Sequence, residues 1–277
     1  MNLVLQGPSI SKADVDAIAD GARPSSVEGI SPRAFRLKGA SPHDSVAKLC
    51  EARRIDFAWV PEGRRFADLK LRAMDMDSTL ITIECIDELG AYAGKKAEIA
   101  AITEAAMRGE IADYKESLRR RVAPLAGQPE SILEDLYTKK LQLTAGAEQL
   151  IAACKNHRVK LLLVSGGFTY ITERLKTRLS LDYTFSNTLE VRDARLTGKL
   201  VGEIVDADGK ASEFKRIMKS LSASKDQTIA IGDGANDLKM MAEAGYSVAF
   251  HAKPVVRAQA TCALTYSGLD GIPNLFE

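Results

Sequence analysis

Hydrophobic and polar positions divide the chain into three stretches with different rhythms. In residues 1–65, short extended runs (NLVLQ, AFRLKG, DFAWV) alternate with two stretches of helical spacing, SKADVDAIADGA from a Ser11 cap and SPHDSVAKLCEARR. This reads as a β-α-β-α-β string, a small α+β unit. Pro61 and Gly63 in PEGRR then break the pattern and predict a linker.

Next, LKLRAM sets Leu69, Leu71 and Ala73 against Lys70 and Arg72, which predicts a strand with polar side chains on one face. Residues 86–143 lack strand signals. They hold the helical runs IDELGAYAGKKAEIAAITEAAMRG, ADYKESLRRRVAPL and PESILEDLYTKKL, which predict a helical insertion. From residue 146, helical segments (GAEQLIAACKNH, TYITERLKTRL, KASEFKRIMKSL, NDLKMMAEAG) alternate with strand-like ones (VKLLLVS, YTFSNTLEV, RLTGKLVGEIV, TIAIGD, YSVAF). Apolar runs such as KLLLV and TIAI between helices predict an α/β fold with a parallel sheet covered on both faces, binding its ligand at the carboxyl ends of the strands.

Composition narrows the picture mainly by exclusion. A chain of 277 residues suits one large or two modest domains, here 1–65 and 66–277. With 38 basic and 37 acidic side chains there is no global field to attract nucleic acid or an anionic membrane, so any anion site must be local. Cys50, Cys85, Cys154 and Cys262 show no close pairing and His43, His157 and His251 are scattered, which argues against a zinc knuckle or disulfide framework and for a reducing compartment. The opening MNLVLQGPSIS lacks a basic n-region, and LLLV at 161–164 is too short to span a bilayer. A cytoplasmic protein without a membrane partner is expected.

The candidate chemistry falls at predicted strand ends: Asp75 and Asp77 after LKLRAM, Ser165 with Gly166 and Gly167 after KLLLV, and Asp233, Asn236 and Asp237 after TIAIG. Two carboxylates two residues apart repel unless a metal or a shared proton makes their closeness useful. A calcium loop starting at Asp75 fails, because Leu80 stands where glycine is required and Ile86 where glutamate is required. GDGAND is no dinucleotide fingerprint either, since Asp237 occupies its third glycine position.

Phosphoryl transfer accounts for the set. A carboxylate attacking a phosphate dianion needs a cation between them, and magnesium favours one or two carboxylates with phosphate oxygens and water, here from Asp75 and Asp233. Asp75 would be the nucleophile of an aspartyl-phosphate route. The Ser165 hydroxyl, the Gly166 N–H and the ammonium of Lys210, which opens a helix after DADG, would hold the equatorial oxygens. Asp77, kept protonated by neighbouring negative charge, would give its proton to the leaving alkoxide and later accept one from water.

DMDST, SGGF, the Lys210 segment and GDGAND, in that order, resemble the haloacid dehalogenase superfamily of phosphohydrolases. DMDSTLITIECIDELG, MRGEIADYKESLRRRV, VSGGF and IGDGANDLKMMAEAG extend the resemblance over about residues 69–270, to the members that act on phosphoserine. It implies a Rossmann-like core, a helical cap at about 86–143 and magnesium held by Asp75, Asp233 and the backbone carbonyl of Asp77. Asn236 and Asp237 would support the phosphate site, with Asp237 orienting Lys210. For the serine moiety the resemblance implies Glu84 at the ammonium and Arg121 at the carboxylate, the latter matching the arginine fork's bidentate fit to carboxylates. A run such as Arg119, Arg120 and Arg121 is also the usual composition of a solvated helix face, which is the alternative reading. Tyr114 stands where the superfamily members commonly carry phenylalanine. By element order the N-terminal unit resembles a shortened ACT-like module, which leaves open ligand binding, dimerisation or mere support. Another small phosphomonoester, such as phosphohomoserine, and a catalytically silent serine sensor are the competing readings.

Overall fold

The structure, a computed structural model, describes the backbone of residues 1–277 and every side chain except that of Met107. The N-terminal unit runs β1 (Asn2–Gln6), α1 (Lys12–Ala22), β2 (Ser26–Ser31), β3 (Ala34–Lys38), α2 (Asp44–Arg53) and β4 (Asp56–Val60). Its antiparallel sheet has the order β2-β3-β1-β4. This βαββαβ order is the split, ferredoxin-like arrangement, with one more strand than the five-element string predicts. The extra strand β2 is exposed along nearly its whole length, so it carries no apolar alternation to betray it.

Alternation along β1 and β4 explains how this sheet is covered. Leu3 and Leu5 pack with Ile18, Leu37 and Cys50 beneath the two helices, whereas Val4, Ala58 and Val60 face the larger core. The contact is also polar. The buried Asp56 carboxylate accepts the backbone N–H groups of Thr265 (2.6 Å), Tyr266 (2.9 Å) and Ser267 (2.7 Å). Arg36 donates to the carbonyls of Asn274 (3.0 Å) and Phe276. Residues 61–65 are held by the chain's last residue, whose carbonyl accepts from Phe66 N–H (3.1 Å) and whose N–H donates to Arg64 (2.8 Å).

The second sheet begins with β5 (Leu71–Met74). The chain then forms α3 (Cys85–Tyr92), α4 (Lys96–Met107), α5 (Tyr114–Val122), α6 (Ser131–Lys139) and α7 (Ala147–Asn156) before β6 (Lys160–Phe168). The single long helical run expected after residue 86 is two helices, because Gly94 adopts a left-handed conformation (φ 66°) between α3 and α4. Next come α8 (Thr169–Leu179), β7 (Tyr183–Arg192), β8 (Arg195–Val201), α9 (Ala207–Ser220), β9 (Thr228–Gly232), α10 (Leu238–Glu243), β10 (Tyr246–Phe250), α11 (Pro254–Arg257) and β11 (Cys262–Leu264). The order is β11-β10-β9-β5-β6-β7-β8, parallel throughout except for the β7–β8 hairpin. The expected α/β fold with a parallel-dominated sheet is thus observed.

One expectation about β5 is overturned. Arg72 is not on a polar face but fully buried, its guanidinium 5.3 Å over the Phe66 ring and 3.4 Å from the Leu150 carbonyl. A central strand with neighbours on both sides and layers on both faces offers no solvated side, so the alternation Leu-Lys-Leu-Arg-Ala reports no exposure. Lys70 lies outside the strand and is exposed.

The helices at 85–139 join the sheet through a two-stranded neck. Thr82 N–H donates to Gln142 (3.0 Å) and Thr144 N–H to Leu80 (3.0 Å), with Ile81 bridged to Leu143. Their returning segment is tied to the hairpin, since Gly127 N–H reaches Leu196 (2.8 Å) and Glu130 N–H reaches Ala194 (2.9 Å).

Candidate active site

Three segments far apart in sequence meet because β9, β5 and β6 are adjacent. Met74 of β5 lies level with Ile231 of β9 and Leu163 of β6. Asp75, Asp233 and Ser165 therefore emerge within one step of one another at the carboxyl edge. Above them lies a cavity of about 570 Å³, roofed by α4 and α5. Asp75, Asp77, Glu84, Arg121, Asp233 and Asn236 line it, as does Gly166.

Lys210 comes from the first turn of α9, whose start is capped by Asp206 through Gly209 N–H (2.8 Å). Its ammonium is fully buried, 2.9 Å from Asp75 Oδ2 and 2.8 Å from Asp237 Oδ1. Burial alone would lower the Lys210 pKa, but the Asp237 and Asp75 carboxylates outweigh it and hold the ammonium charged. Asp237 is fully buried, is absent from the cavity wall and also accepts Gly234 N–H (3.1 Å). It fixes Lys210 from behind.

Asp75 accepts the N–H of Met76 at 2.7 Å, and burial followed by the Asp237 charge pushes its titration up. Burial and then Glu84 raise Asp77 from 3.8 to about 7, against hydrogen bonds from Cys85, whose N–H lies 3.3 Å away. Asp233 is raised to about 6 by burial, Asp237 and Glu84, although Thr79 donates to it at 3.2 Å. Asp75, Asp233 and Asp237 crowd around the one Lys210 ammonium, which contacts Asp75 and Asp237 only, so negative charge is in excess there. A hard divalent cation bound by oxygen fits that excess, and carboxylate oxygens of Asp75, Asp233 and Asp237 lie within 4.8 Å of one another. Of these, Asp75 and Asp233 face the cavity.

The SGGF segment interrupts the β6–β7 pairing between Val164 and Phe168. Gly166 lines the cavity, while Ser165 is fully buried behind it, its hydroxyl accepting Gly167 N–H at 2.8 Å. Any side chain at Gly166 would collide with the Tyr114 hydroxyl, so the close approach of α5 requires glycine there. Glu84 is oriented by the Ser78 hydroxyl at 2.7 Å.

The three arginines of α5 separate cleanly. Arg120 pairs with Glu116 at 2.8 Å and Arg119 lies 4.0 Å from the same carboxylate, both exposed, whereas Arg121 lines the cavity with its Nε buried and without a partner among the described residues. Sequence reasoning missed Asn187. Fully buried in β7, it donates to the Gly166 carbonyl (2.7 Å) and accepts Val205 N–H (2.8 Å), tying the glycine segment to the approach of α9. An asparagine inside YTFSNTLEV was the only available signal. Ser78 and Thr79 of DMDST, to which the phosphoryl-transfer reading assigns no role, bond Glu84 and Asp233.

Acidic strand ends under a helical roof define a hydrolase of phosphate-ester type, and the chain belongs to the haloacid dehalogenase-like hydrolase family, whose model matches residues 73–242. A second model, Domain of unknown function (DUF4072), matches residues 3–46. The chain is 54% identical over 217 residues to a phosphoserine phosphatase of Polaromonas sp., covering 77% of this chain and 92% of that protein. It is 43% identical over 232 residues to the phosphoserine phosphatase of Vibrio cholerae, covering 84% and 69%. Among solved structures it resembles an unliganded probable phosphoserine phosphatase from Vibrio cholerae (TM-score 0.88, 35% identity, 99% of this chain and 86% of that one). It also resembles a substrate-bound phosphoserine phosphatase (TM-score 0.67, 38% identity, 71% and 93%).

Proposed function

We propose that the chain hydrolyses O-phospho-L-serine to L-serine and phosphate through a phosphoaspartate at Asp75, with magnesium held by Asp75, Asp233 and the backbone carbonyl of Asp77. The observation that carries the substrate is Arg121: among the described residues its buried Nε has no partner, and it faces a cavity that Asp75, Asp77, Glu84, Asp87 and Asp233 line together with Lys253 and apolar side chains, so it can take an anionic group on the ligand. Glu84 supplies the opposite charge for an ammonium, and together they suit a zwitterion attached to a phosphate. Relatives sharing up to 54% identity carry the same activity in their names.

The geometry supports the following roles. Asp75 Oδ attacks phosphorus, the ester P–O bond breaks, and its electron pair leaves on the serine oxygen. That oxygen takes the proton of Asp77, whose protonated form is favoured by burial and by the neighbouring Glu84 carboxylate. Asp77 then accepts a proton from the water that cleaves the phosphoaspartate, returning Asp75. Lys210, fixed by Asp237, neutralises the Asp75 side of the group in flight. Gly166 N–H and Asn236 sit at the wall to donate to phosphoryl oxygens, with Ser165 shaping the Gly166–Gly167 turn from behind. Magnesium, when bound, offsets the repulsion between carboxylate and phosphate. The helices at 85–139 act as a cap over the substrate, and residues 1–65 and 66–277 form the two units of the chain.

A cytoplasmic location is supported by four free, buried cysteines, and among the described residues no helix is long and apolar enough to cross a membrane. The test is phosphate release from O-phospho-L-serine, phosphohomoserine and p-nitrophenyl phosphate, each with magnesium and with chelator. Magnesium-dependent turnover preferring phosphoserine is expected. Turnover of the other two esters alone would leave the core chemistry standing and overturn Glu84 and Arg121 as the serine site.

A further inference from the structure

Tyr114 is the first residue of α5, held in place from both sides. Asp113 caps the helix through Lys115 N–H (3.0 Å), and the Lys115 ammonium reaches Asp206, the cap of the helix that carries Lys210, at 3.2 Å. These contacts set the ring so that its hydroxyl fills the space a Cβ on Gly166 would need, in the cavity wall. Lys210, Arg121, Asp75 and Asp77 are all near enough to act on its charge. The hydroxyl makes no hydrogen bond among the described residues.

We propose that the Tyr114 hydroxyl donates a hydrogen bond to a non-bridging phosphoryl oxygen, so that the cap itself contributes to the phosphate site. The inference rests on the reading of Gly166, Lys210 and Asp75 as that site. A phenol suits the task because burial pushes its titration up and it stays a neutral donor throughout. It complements the core's donors from the opposite side, and the bond forms only while α5 sits against Gly166. Cap position and phosphoryl binding are coupled through this one atom. The ring packs on the same core cluster as the buried apolar residues, so phenylalanine retains that packing and loses only the donor.

The experiment is Tyr114→Phe in the full chain with magnesium. It reads kcat/KM for phosphoserine and p-nitrophenyl phosphate, the inhibition constant of inorganic phosphate, and the melting temperature. Removing a hydrogen bond to a charged group is expected to lower kcat/KM for both esters by about ten- to hundredfold and weaken phosphate inhibition by a similar factor. Melting should not change. Wild-type phosphate inhibition in the variant, or a loss confined to phosphoserine, would overturn the proposal. Failure of the substrate reading looks different: the wild type would then turn over p-nitrophenyl phosphate but not phosphoserine, with phosphate inhibition still responding to Tyr114→Phe.

Discussion

Arg121→Ala isolates the one interaction that distinguishes a phosphoserine site from a general phosphate-ester site. Among the described residues Arg121 Nε is buried without a partner, while Arg119 and Arg120 share Glu116. Alanine therefore removes no internal ion pair of this residue, and the folded state should change by no more than about 0.5 kcal/mol, the ordinary range for a substitution without such features. The ligand loses more. A carboxylate held by a guanidinium fork gains charge-assisted hydrogen bonds worth about 1.5–3 kcal/mol, which is about 10- to 150-fold in binding. Because the serine carboxylate is remote from the reacting bond, the loss belongs in KM rather than kcat. Steady-state kinetics should show KM for phosphoserine rising by that factor, with KM for p-nitrophenyl phosphate, which lacks a carboxylate, changing less than about threefold. Equal losses on the two esters, or a fall in melting temperature large enough to explain the loss, would refute the assignment.

Other perturbations test different parts of the site. Asp77→Asn should abolish phosphoserine turnover while sparing part of the p-nitrophenyl phosphate activity, because that leaving group departs without a proton; a uniform loss in steady-state assays would argue against Asp77 as the acid. In chelator, Asp77 and Asp233 hold protons up to about 7 and about 6 instead of 3.8, so they favour the folded state below about pH 4 and that contribution is lost as pH rises through 6 and 7. Melting temperature in chelator should fall between pH 5 and pH 8, and the stabilisation added by magnesium should grow over the same window. A magnesium effect independent of pH would contradict that. Asp56→Ala orphans three N–H groups of residues 265–267, one buried and two part-buried, and should cost about 3 kcal/mol in denaturant unfolding; a shift below about 1 kcal/mol would show that the contact between the N-terminal unit and the core is not held there.

The order of elements from residue 146 on was legible because buried parallel strands and their covering helices write two different periods into the chain. Asp75, Ser165 and Asp233 stood out because each polar residue follows an apolar run, and a parallel sheet brings such ends together. The sequence misled where burial and polarity part company. Arg72 looks like the exposed half of an alternation, yet a central strand has no exposed half, and cation–π contact with Phe66 replaces water there. Strand β2 was invisible for the opposite reason, being an edge with little to bury. Arg121 could not be told from its two neighbours by spacing. The direction of each side chain on α5 depends on how the helix sits over the sheet, and that is set by Lys115, Asp206 and the hairpin contacts at 127–130. Asn187 works through two backbone groups distant in sequence, an arrangement no local pattern carries. The N-terminal unit is also more than an appendage: residues 264–277 lie against it through Asp56 and Arg36, so deleting residues 1–65 would expose Val4-facing core surface as well as remove a module.

The central claim, covalent hydrolysis at Asp75, is tested most directly by mixing the protein with magnesium and phosphate-labelled O-phospho-L-serine, quenching in acid within a turnover, and mapping the label by peptide. Label on the peptide containing Asp75, absent in Asp75→Asn and absent with chelator, is the predicted result. Label on any other residue, or an Asp75→Asn variant that still becomes phosphorylated, would contradict the account.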